Sequence, residues 1–565
     1  MAKGRNILDS PMNLRERLTS IINPQKGVER YQARITEERK QRVTELAQEV
    51  RRTASASGYR YHGASTTKNS LIGWITGGGS AEDDIDLQGS MLRIRSRDLY
   101  AGGGLGRGAP NTMVTNVVGW GIRPKPKIDR ELLGLSEEAA AEWEKAALRE
   151  FTLWAKTKMC DATRQHTFWE MQELAFRSEL VSGDVLAVFG MKPNLRNPYQ
   201  TTIRLIEADR LSVPESTGES SAENTDGGGR NIDGVEINKD GEVIRYHIAT
   251  YHPLQDENPG EITWEAIDAF GKDTGMPNVL HLMTAERPEQ HRGIPFISGM
   301  IEQIKQLDRY LDAELAASIV AAMLTVFITS DGTDDDGYDS INDSIAEEDK
   351  VTDDHLHIEL GNGNVYELPP GKKVDKVGDT RAPTAFDAYT RQIITILGSG
   401  SEIPYEVLMH VYNSNYTAAN AARLDFWRVV TRYRERFTQG FNQPIYEAVI
   451  AEAIALGRLD APGYFDDPLI RDAWNGCQWV GSSRGHVQPV QEANAAVTRM
   501  KAGITTGEQE AMEYGGTDYM DNIAELGREQ AARMAAGLTQ TDDSSGGGES
   551  QERPAEEPEK DPDEE

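Results

Sequence analysis

The stretch V-L-H-L from Val279, then R-P-E-Q-H-R-G-I-P at 287–295, opens a helical run from Gly299 to about Phe327. That run places Ile304, Leu307, Leu311, Leu315, Ile319 and Ala322 along one stripe, with Glu302, Lys305, Asp308, Arg309 and Asp312 mostly off it. About 28 residues at 1.5 Å each give a rod of roughly 40 Å, longer than a small globular domain requires. One apolar stripe needs a neighbour along its full length. The end of the run loses its charges and becomes alanine-rich, which suits close helix–helix contact. Directly after it, from Asp331, comes D-G-T-D-D-D-G-Y-D-S-I-N-D-S-I-A-E-E-D-K. The pattern predicts a rigid rod that carries a carboxylate-rich tip away from the body.

Beyond the tip, His355 to Glu367 alternates as a hairpin does, closed by Pro369, Pro370 and Gly371. A second helix is expected from Thr384 to Leu397, and a loop, G-S-G-S-E-I-P-Y-E-V-L-M-H-V-Y-N-S-N-Y, ends at Tyr416. A third helix should run from about Thr417 to Gly457 on a stripe of Phe426, Val430, Tyr433, Phe437 and Phe441, kinked by Pro444. Small helices are expected over 480–538, and the tail from Thr539 reads as disordered by composition.

On the N-terminal side, residues 1–60 read as an amphipathic arm of mixed charge, with Val43, Leu46 and Val50 at helical spacing. The run A-G-G-G-L-G-R-G at 101–108 lacks the Lys-Ser/Thr of a phosphate-binding P-loop and reads as a flexible loop. Two helices are expected between Ser136 and Leu180, the second with Phe168, Met171, Leu174 and Ala175 on one face. Strands are expected at Val181–Phe189, Thr202–Leu205 and Val235–Ile248, with a surface loop over 216–230. Trp120, Trp154 and Trp169 are core candidates. The fold class is α+β, mainly α.

The chain has 565 residues and a formal net charge of −31. Residues 541–565 contribute −9, so the rest still carries −22. Simple DNA binders concentrate Lys and Arg on phosphate, so this surface argues against gripping free nucleic acid. It fits either plain solubility or a surface past which a polyanion must move without sticking. The longest uncharged, apolar-leaning run, Leu315 to Ser330, is shorter than the roughly 20 residues of a membrane span. No apolar signal region stands at the start, and no secretory signal is expected. Only Cys160 and Cys477 occur, far apart and without partner spacing, which argues against a disulfide framework or a paired-cysteine zinc site.

Three readings compete for 331–354, which holds eleven acidic side chains against Lys350 alone. A calcium loop lacks the required spacing and terminal Glu. A solvated loop needs nothing more. A docking surface for a basic partner would use Asp334, Asp335, Asp336, Asp339, Glu347 and Glu348. The loop 399–416 offers Glu402, Tyr405, His410, Tyr412, Asn413, Asn415 and Tyr416, polar or aromatic and mostly uncharged. Such groups can touch a duplex backbone weakly and without reading its sequence. Alternatively Tyr405, Val407, Leu408 and Tyr412 pack the loop in place. Arg428, Arg432 and Arg436 form a solvated or inter-subunit ionic face rather than a DNA-contacting ring. His355 and His357 lack further ligands for a metal, and His281 and His291 read as packing or hydrogen-bonding residues. No catalytic fingerprint is present and no cofactor or metal is expected, although a metal-dependent acidic hydrolase using 331–354 stays as an alternative.

An ordered series of motifs adds to this. It comprises R-S-R-D-L at 95–99, N-V-V-G-W-G-I at 116–122, C-D at 160–161, T-F at 167–168, S-G-D-V at 182–185 and L-I-E-A-D-R-L at 205–211. R-P-E-Q-H-R-G-I-P at 287–295, L-D-R-Y-L-D-A-E-L at 307–315 and N-Y-T-A-A at 415–419 complete it. Over roughly residues 90–538 the chain resembles the portal proteins of tailed bacteriophages, of the lambda-like family. The resemblance implies a non-enzymatic homo-oligomeric ring, usually of twelve subunits, at one capsid vertex of the virion, assembled in the host cytoplasm. Double-stranded DNA is packed and ejected through its axis. Implied partners are the terminase large subunit, the major capsid or scaffold protein and head-completion proteins, with no membrane. A shorter head–tail adaptor is the other alternative. The implied parts are an N-terminal arm (1–60), a wing (61–295), stem helices (296–328 and 379–398) and a clip (329–378). A tunnel loop (399–416), a long kinked helix (417–460), a crown (461–538) and an acidic tail (539–565) follow.

Overall fold

The structure is a computed structural model that describes residues 78–213, 229–253, 255, 262–323, 327–330, 372–375, 384–412, 416–485, 488–515, 517 and 519–536, with isolated positions between 26 and 70. It is a mixed fold, mainly helical. The chain divides into two compact units.

The first unit takes residues up to Met91, Ser212–His247 and Ala285–Gly293. Its helix α1 (Ala81–Gly102) continues into the second unit. Strands β1 (Arg230–Ile232) and β2 (Val235–Ile237) form a hairpin across a two-residue turn, Asp233-Gly234, both at positive φ. The segment 285–293 folds back on itself. Gln290 accepts from the amides of Glu286 and Arg287 and donates to the Arg292 carbonyl. Arg287 donates to the carbonyls of Gly79 and Ser80 and pairs with Asp84, tying down the start of α1. Arg292, only 2% exposed, grips the hairpin turn through Asp233. This motif therefore acts as a structural clasp.

The second unit carries the main core. Helix α2 (Gly104–Val117) follows α1 after a one-residue break at Gly103. The 101–108 run is thus a helix–helix corner and not the expected flexible loop. A Cβ on Gly106 would lie 2.6 Å from the Leu99 carbonyl oxygen, so the glycine permits the close approach. Helix α3 (Glu137–Ala155) is capped by the Ser136 hydroxyl, and α4 (Phe168–Ser182) opens with a capping box between Thr167 and Glu170. Strand β3 (Asp184–Met191) pairs antiparallel with β4 (Thr201–Glu207) on one side and β5 (Val279–Met283) on the other. Phe151, Trp154, Phe168, Phe437, Phe441 and Tyr446 form the aromatic centre, with Phe151 and Phe168 edge to face at 5.5 Å. Trp154 belongs to it and Trp169 packs against it, but Trp120 is 89% exposed, contrary to expectation.

Helix α5 spans Ile301–Met323, and a short strand, β6 (Phe327–Ser330), stands where the helix was expected to continue. Phe327, Ile328 and Thr329 are aromatic or β-branched and favour the pleated form over another helical turn. β6 pairs antiparallel with β7 (Lys372–Asp375), so the chain leaves and returns through a two-stranded ribbon. The hairpin expected at His355–Glu367, with His357, and the loop at 216–228 lie outside the described residues. Helix α6 (Thr384–Gly400) returns alongside α5. Helix α7 (Tyr416–Phe437) passes through a π-helical turn, Thr438–Asn442, into α8 (Gln443–Ala455). The irregularity falls at this widened turn, directly before Pro444, and the π-helical turn accommodates the proline's missing N–H within a continuous helix. Cys477–Val480 pairs with Arg123–Pro126, a contact across the chain that the sequence did not announce.

Candidate functional site

Helices α5 and α6, with the loop that follows α6, form the frame on which the expected site rests. Tyr310 of α5 stacks on Phe386 of α6 at 5.8 Å and meets Tyr389 edge-on at 5.1 Å. Ile304, Leu307, Ile394 and Leu397 are buried at the base of the pair. Further along, Leu311, Leu315, Ile319 and Tyr389 are exposed, and at the base Ile396 is exposed on a different face from Ile394 and Leu397. The stripe that defined the rod is therefore covered only at its base. Asp334, Asp335, Asp336, Asp339, Glu347 and Glu348, and the rest of the acidic segment, lie outside the described residues.

The loop after α6 is shorter than expected, because a helical turn, Tyr405–Met409, occupies its middle. Ile403, Val407 and Leu408 are buried and fasten it. Glu402 and His410 both adopt left-handed backbone, with φ 57° and 53°. Glu402 pairs with Arg432, and the Arg391 guanidinium lies 5.5 Å over the Tyr405 ring. His410 and Tyr412 are exposed. Asn413 and Asn415 lie outside the described residues, and Tyr416 is described only as the first residue of α7. Of the three spaced arginines, Arg432 meets Glu402, Arg436 meets buried Glu179 at 2.5 Å, and Arg428 faces Asp425 in solvent. Two of the three are thus committed within the chain.

The quoted motifs converge elsewhere. Arg93, two residues before R-S-R-D-L, is 4% exposed in its side chain and lies 3.8 Å from Asp184 and 3.3 Å from Asp209. Arg97 pairs with Asp209 at 2.5 Å and donates to the Ser182 hydroxyl. His281 approaches Asp184 at 3.3 Å, and His252 approaches Asp209 at 3.6 Å. Burial pushes the Asp209 carboxyl up, but Arg97 and Arg93 outweigh it and hold it below the usual range. Asp161 of the C-D pair accepts from Thr163, Gln165 and His166, which likewise overcomes burial and lowers its carboxyl. These motifs fix the fold around β3 and α4. Sequence reading found them but could not see that they touch.

A second buried carboxylate, Glu150, takes a bidentate contact from Arg458 (2.7 and 3.1 Å) and the Tyr199 hydroxyl (2.7 Å). Burial raises it, the Arg458 and Tyr199 bonds lower it, and the balance lies below its ordinary value. A depressed folded value means the stabilisation is complete above the unfolded value of about 4.3 and is lost as pH falls through the folded one. Glu150→Gln should therefore be less stable than wild type at neutral pH, by ~1–2 kcal/mol after allowing for the partly exposed Arg458. The gap should shrink below about pH 4. A gap independent of pH in urea unfolding would refute this.

Among the described residues no group of three or more His, Cys, Asp and Glu could hold a metal ion, and no helix is long and apolar enough to cross a membrane.

A family model for phage portal proteins of the lambda family matches residues 67–434. The chain therefore belongs to the lambda family of phage portal proteins. It is 24% identical over 471 residues to portal protein B of Escherichia phage lambda, covering 79% of this chain and 84% of that protein. It is 24% identical over 490 residues to the portal protein of Escherichia phage N15, covering 83% and 89%. Similar solved structures include a chain of the virion of a native gene transfer agent particle (TM-score 0.41, 11% identity, 75% of this chain and 92% of that one). Another is a chain of the neck of the native particle (TM-score 0.40, 12% identity, 76% and 99%).

Proposed function

We propose that this portal protein works as a closed ring of about a dozen copies at one vertex of a virion. α5 and α6 form its stem, the 401–412 loop faces the axis, and double-stranded DNA passes through. The observation that carries this reading, beside the family, is the helix pair. Leu311, Leu315, Ile319, Tyr389 and Ile396 stand exposed on two helices already packed together at their base. Aliphatic stripes of this kind are stabilised by burial at about 25 cal/mol per Å², and copies of the same pair are the partner a ring provides. Negative-stain imaging tests it: a hollow ring is expected, and a compact monomer at micromolar concentration would end the reading.

Within that ring, His410 and Tyr412 offer weak, sequence-blind contacts to a duplex. Because Ile403, Val407 and Leu408 are buried, removing the whole loop would damage the fold. The double substitution His410→Ala, Tyr412→Ala is the sharper experiment. Rings should form normally while heads retain less DNA; normally filled heads would exclude the loop from the DNA path.

The acidic segment 331–354 is the proposed dock for a basic partner such as the packaging motor. Ring symmetry multiplies its charge, which favours steering more than contact energy. Changing Asp334, Asp335 and Asp336 together to Asn should weaken docking and reduce its salt dependence. Docking affinity that does not change would remove the proposal.

A further inference from the structure

α7 separates two surfaces that fit one another. On one face stands the turn around Trp120. Gly119 and Gly121 take positive φ, 57° and 99°, conformations open to glycine. Arg434 donates to the carbonyls of Val117 (2.9 Å), Asn116 (2.8 Å) and Ser482 (3.0 Å), and Gln172 holds both the amide and the carbonyl of Ile122. The turn is pinned on both sides, yet Trp120 itself is 89% exposed. A large aromatic side chain held in water by a rigid turn has the properties of a binding anchor.

On the opposite face lies a groove of about 850 Å³ between α6, the 401–412 loop and α7. Arg423, Trp427 and Arg434 mark the Trp120 side of α7: Arg423 donates to the Arg484 carbonyl, and Trp427 lies under the Arg434 guanidinium at 5.1 Å. At ~100° per residue, Asp425 is turned about 180° and Val429 about 140° from Arg434, and both line the groove. Half-buried Val411 and Tyr405 supply further apolar lining. Arg123 and Arg484 are exposed near the Trp120 turn. Glu402, Glu406, Asp425 and Arg391 line the groove, with Glu402 and Asp425 already paired to Arg432 and Arg428, so the fit rests on shape and not on net charge.

We propose that Trp120 of one copy of this chain seats in the groove of a second copy. This rests on the ring reading above and names a contact within it. A knob and a groove on opposite faces of one helix cannot satisfy each other within a chain. Between copies they make a head-to-tail contact, which repeats and closes as a ring when the rotation allows.

The test replaces Trp120 with an aromatic photocrosslinker in the full-length chain and mixes light and heavy-isotope copies. Crosslinks should join copies and map to residues 391–429. Trp120→Ala should leave the monomer's thermal unfolding unchanged, because the side chain is exposed, and should reduce ring yield at a fixed concentration roughly tenfold or more. Wild-type rings together with undiminished Trp120→Ala rings, or crosslinks mapping elsewhere, would overturn this contact and leave the ring standing. A wild-type chain that never assembles would overturn both.

Discussion

Arg93→Met should cost about 3–5 kcal/mol of stability in the second unit, seen as a lower urea midpoint and a loss in thermal midpoint on the order of 10 °C. The reason lies in what the guanidinium leaves behind. Asp184 is 1% exposed and has Arg93 beside it, with His281 at 3.3 Å. Asp209 keeps Arg97 and approaches His252, so its loss is smaller. Methionine preserves most of the packing of the arginine stem, which isolates the charge effect. A buried ionised group without its partner is far costlier than a pair replaced as a whole. Two further outcomes follow. Adding Asp184→Asn to Arg93→Met should recover part of the loss, a coupling that a double-mutant cycle measures. The deficit should also narrow as pH falls, since a buried Asp184 that has lost the Arg93 charge can then take a proton. Single variants with wild-type midpoints, or losses that simply add, would show that the network carries no stability.

That network also marks the limit of what the sequence discloses. The rod at 301–323 was legible because its signal is local: Ile304, Leu307, Leu311 and Leu315 repeat at helical spacing within a dozen residues. The helix start at Ser136 was legible for the same reason, although the capping box between Thr167 and Glu170 was not singled out. Arg93 with Asp209, Gln172 with Ile122, and Arg458 with Glu150 are separated by 50 to 308 residues. No periodicity records such pairs. Glycine misled in the other direction. A-G-G-G-L-G-R-G supports a loose loop as readily as a tight helix corner, and only the approach of Gly106 to Leu99 decides between them. Trp120 followed neither rule. Apolar bulk argues for the core, whereas its two flanking glycines turn it outward. The stripe of α5 is the converse case: the pattern located the apolar residues, but nothing local in it could say that Leu311, Leu315 and Ile319 would stand exposed in the single chain.

Gln172→Leu is expected to lower stability by a similar amount, about 3–5 kcal/mol, for a different reason. Gln172 is fully buried, and its amide does three things: Oε1 accepts from the Ile122 amide at 2.8 Å, while Nε2 donates to the Ile122 carbonyl at 2.9 Å and to Asn442 Oδ1 at 3.1 Å. Leucine fills nearly the same volume, so no cavity term enters. The cost comes from three polar atoms left dry, each worth roughly 1–3 kcal/mol when its partner is removed. Two of them belong to the strand end that follows the Trp120 turn, and the third to the π-helical turn between α7 and α8. Amide hydrogen exchange at Ile122 should therefore accelerate far more than at Phe168 or Ala175, in the same helix bundle. Slow exchange at Ile122 in the variant would mean that the turn is held by α2 and Arg434 alone. The prediction also separates stability from assembly. If the pinned turn is what presents Trp120, Gln172→Leu should lose rings at temperatures where the second unit is still folded, whereas Glu150→Gln, whose side chain bonds Arg458 and Tyr199 and not the turn, should lose rings only as it unfolds.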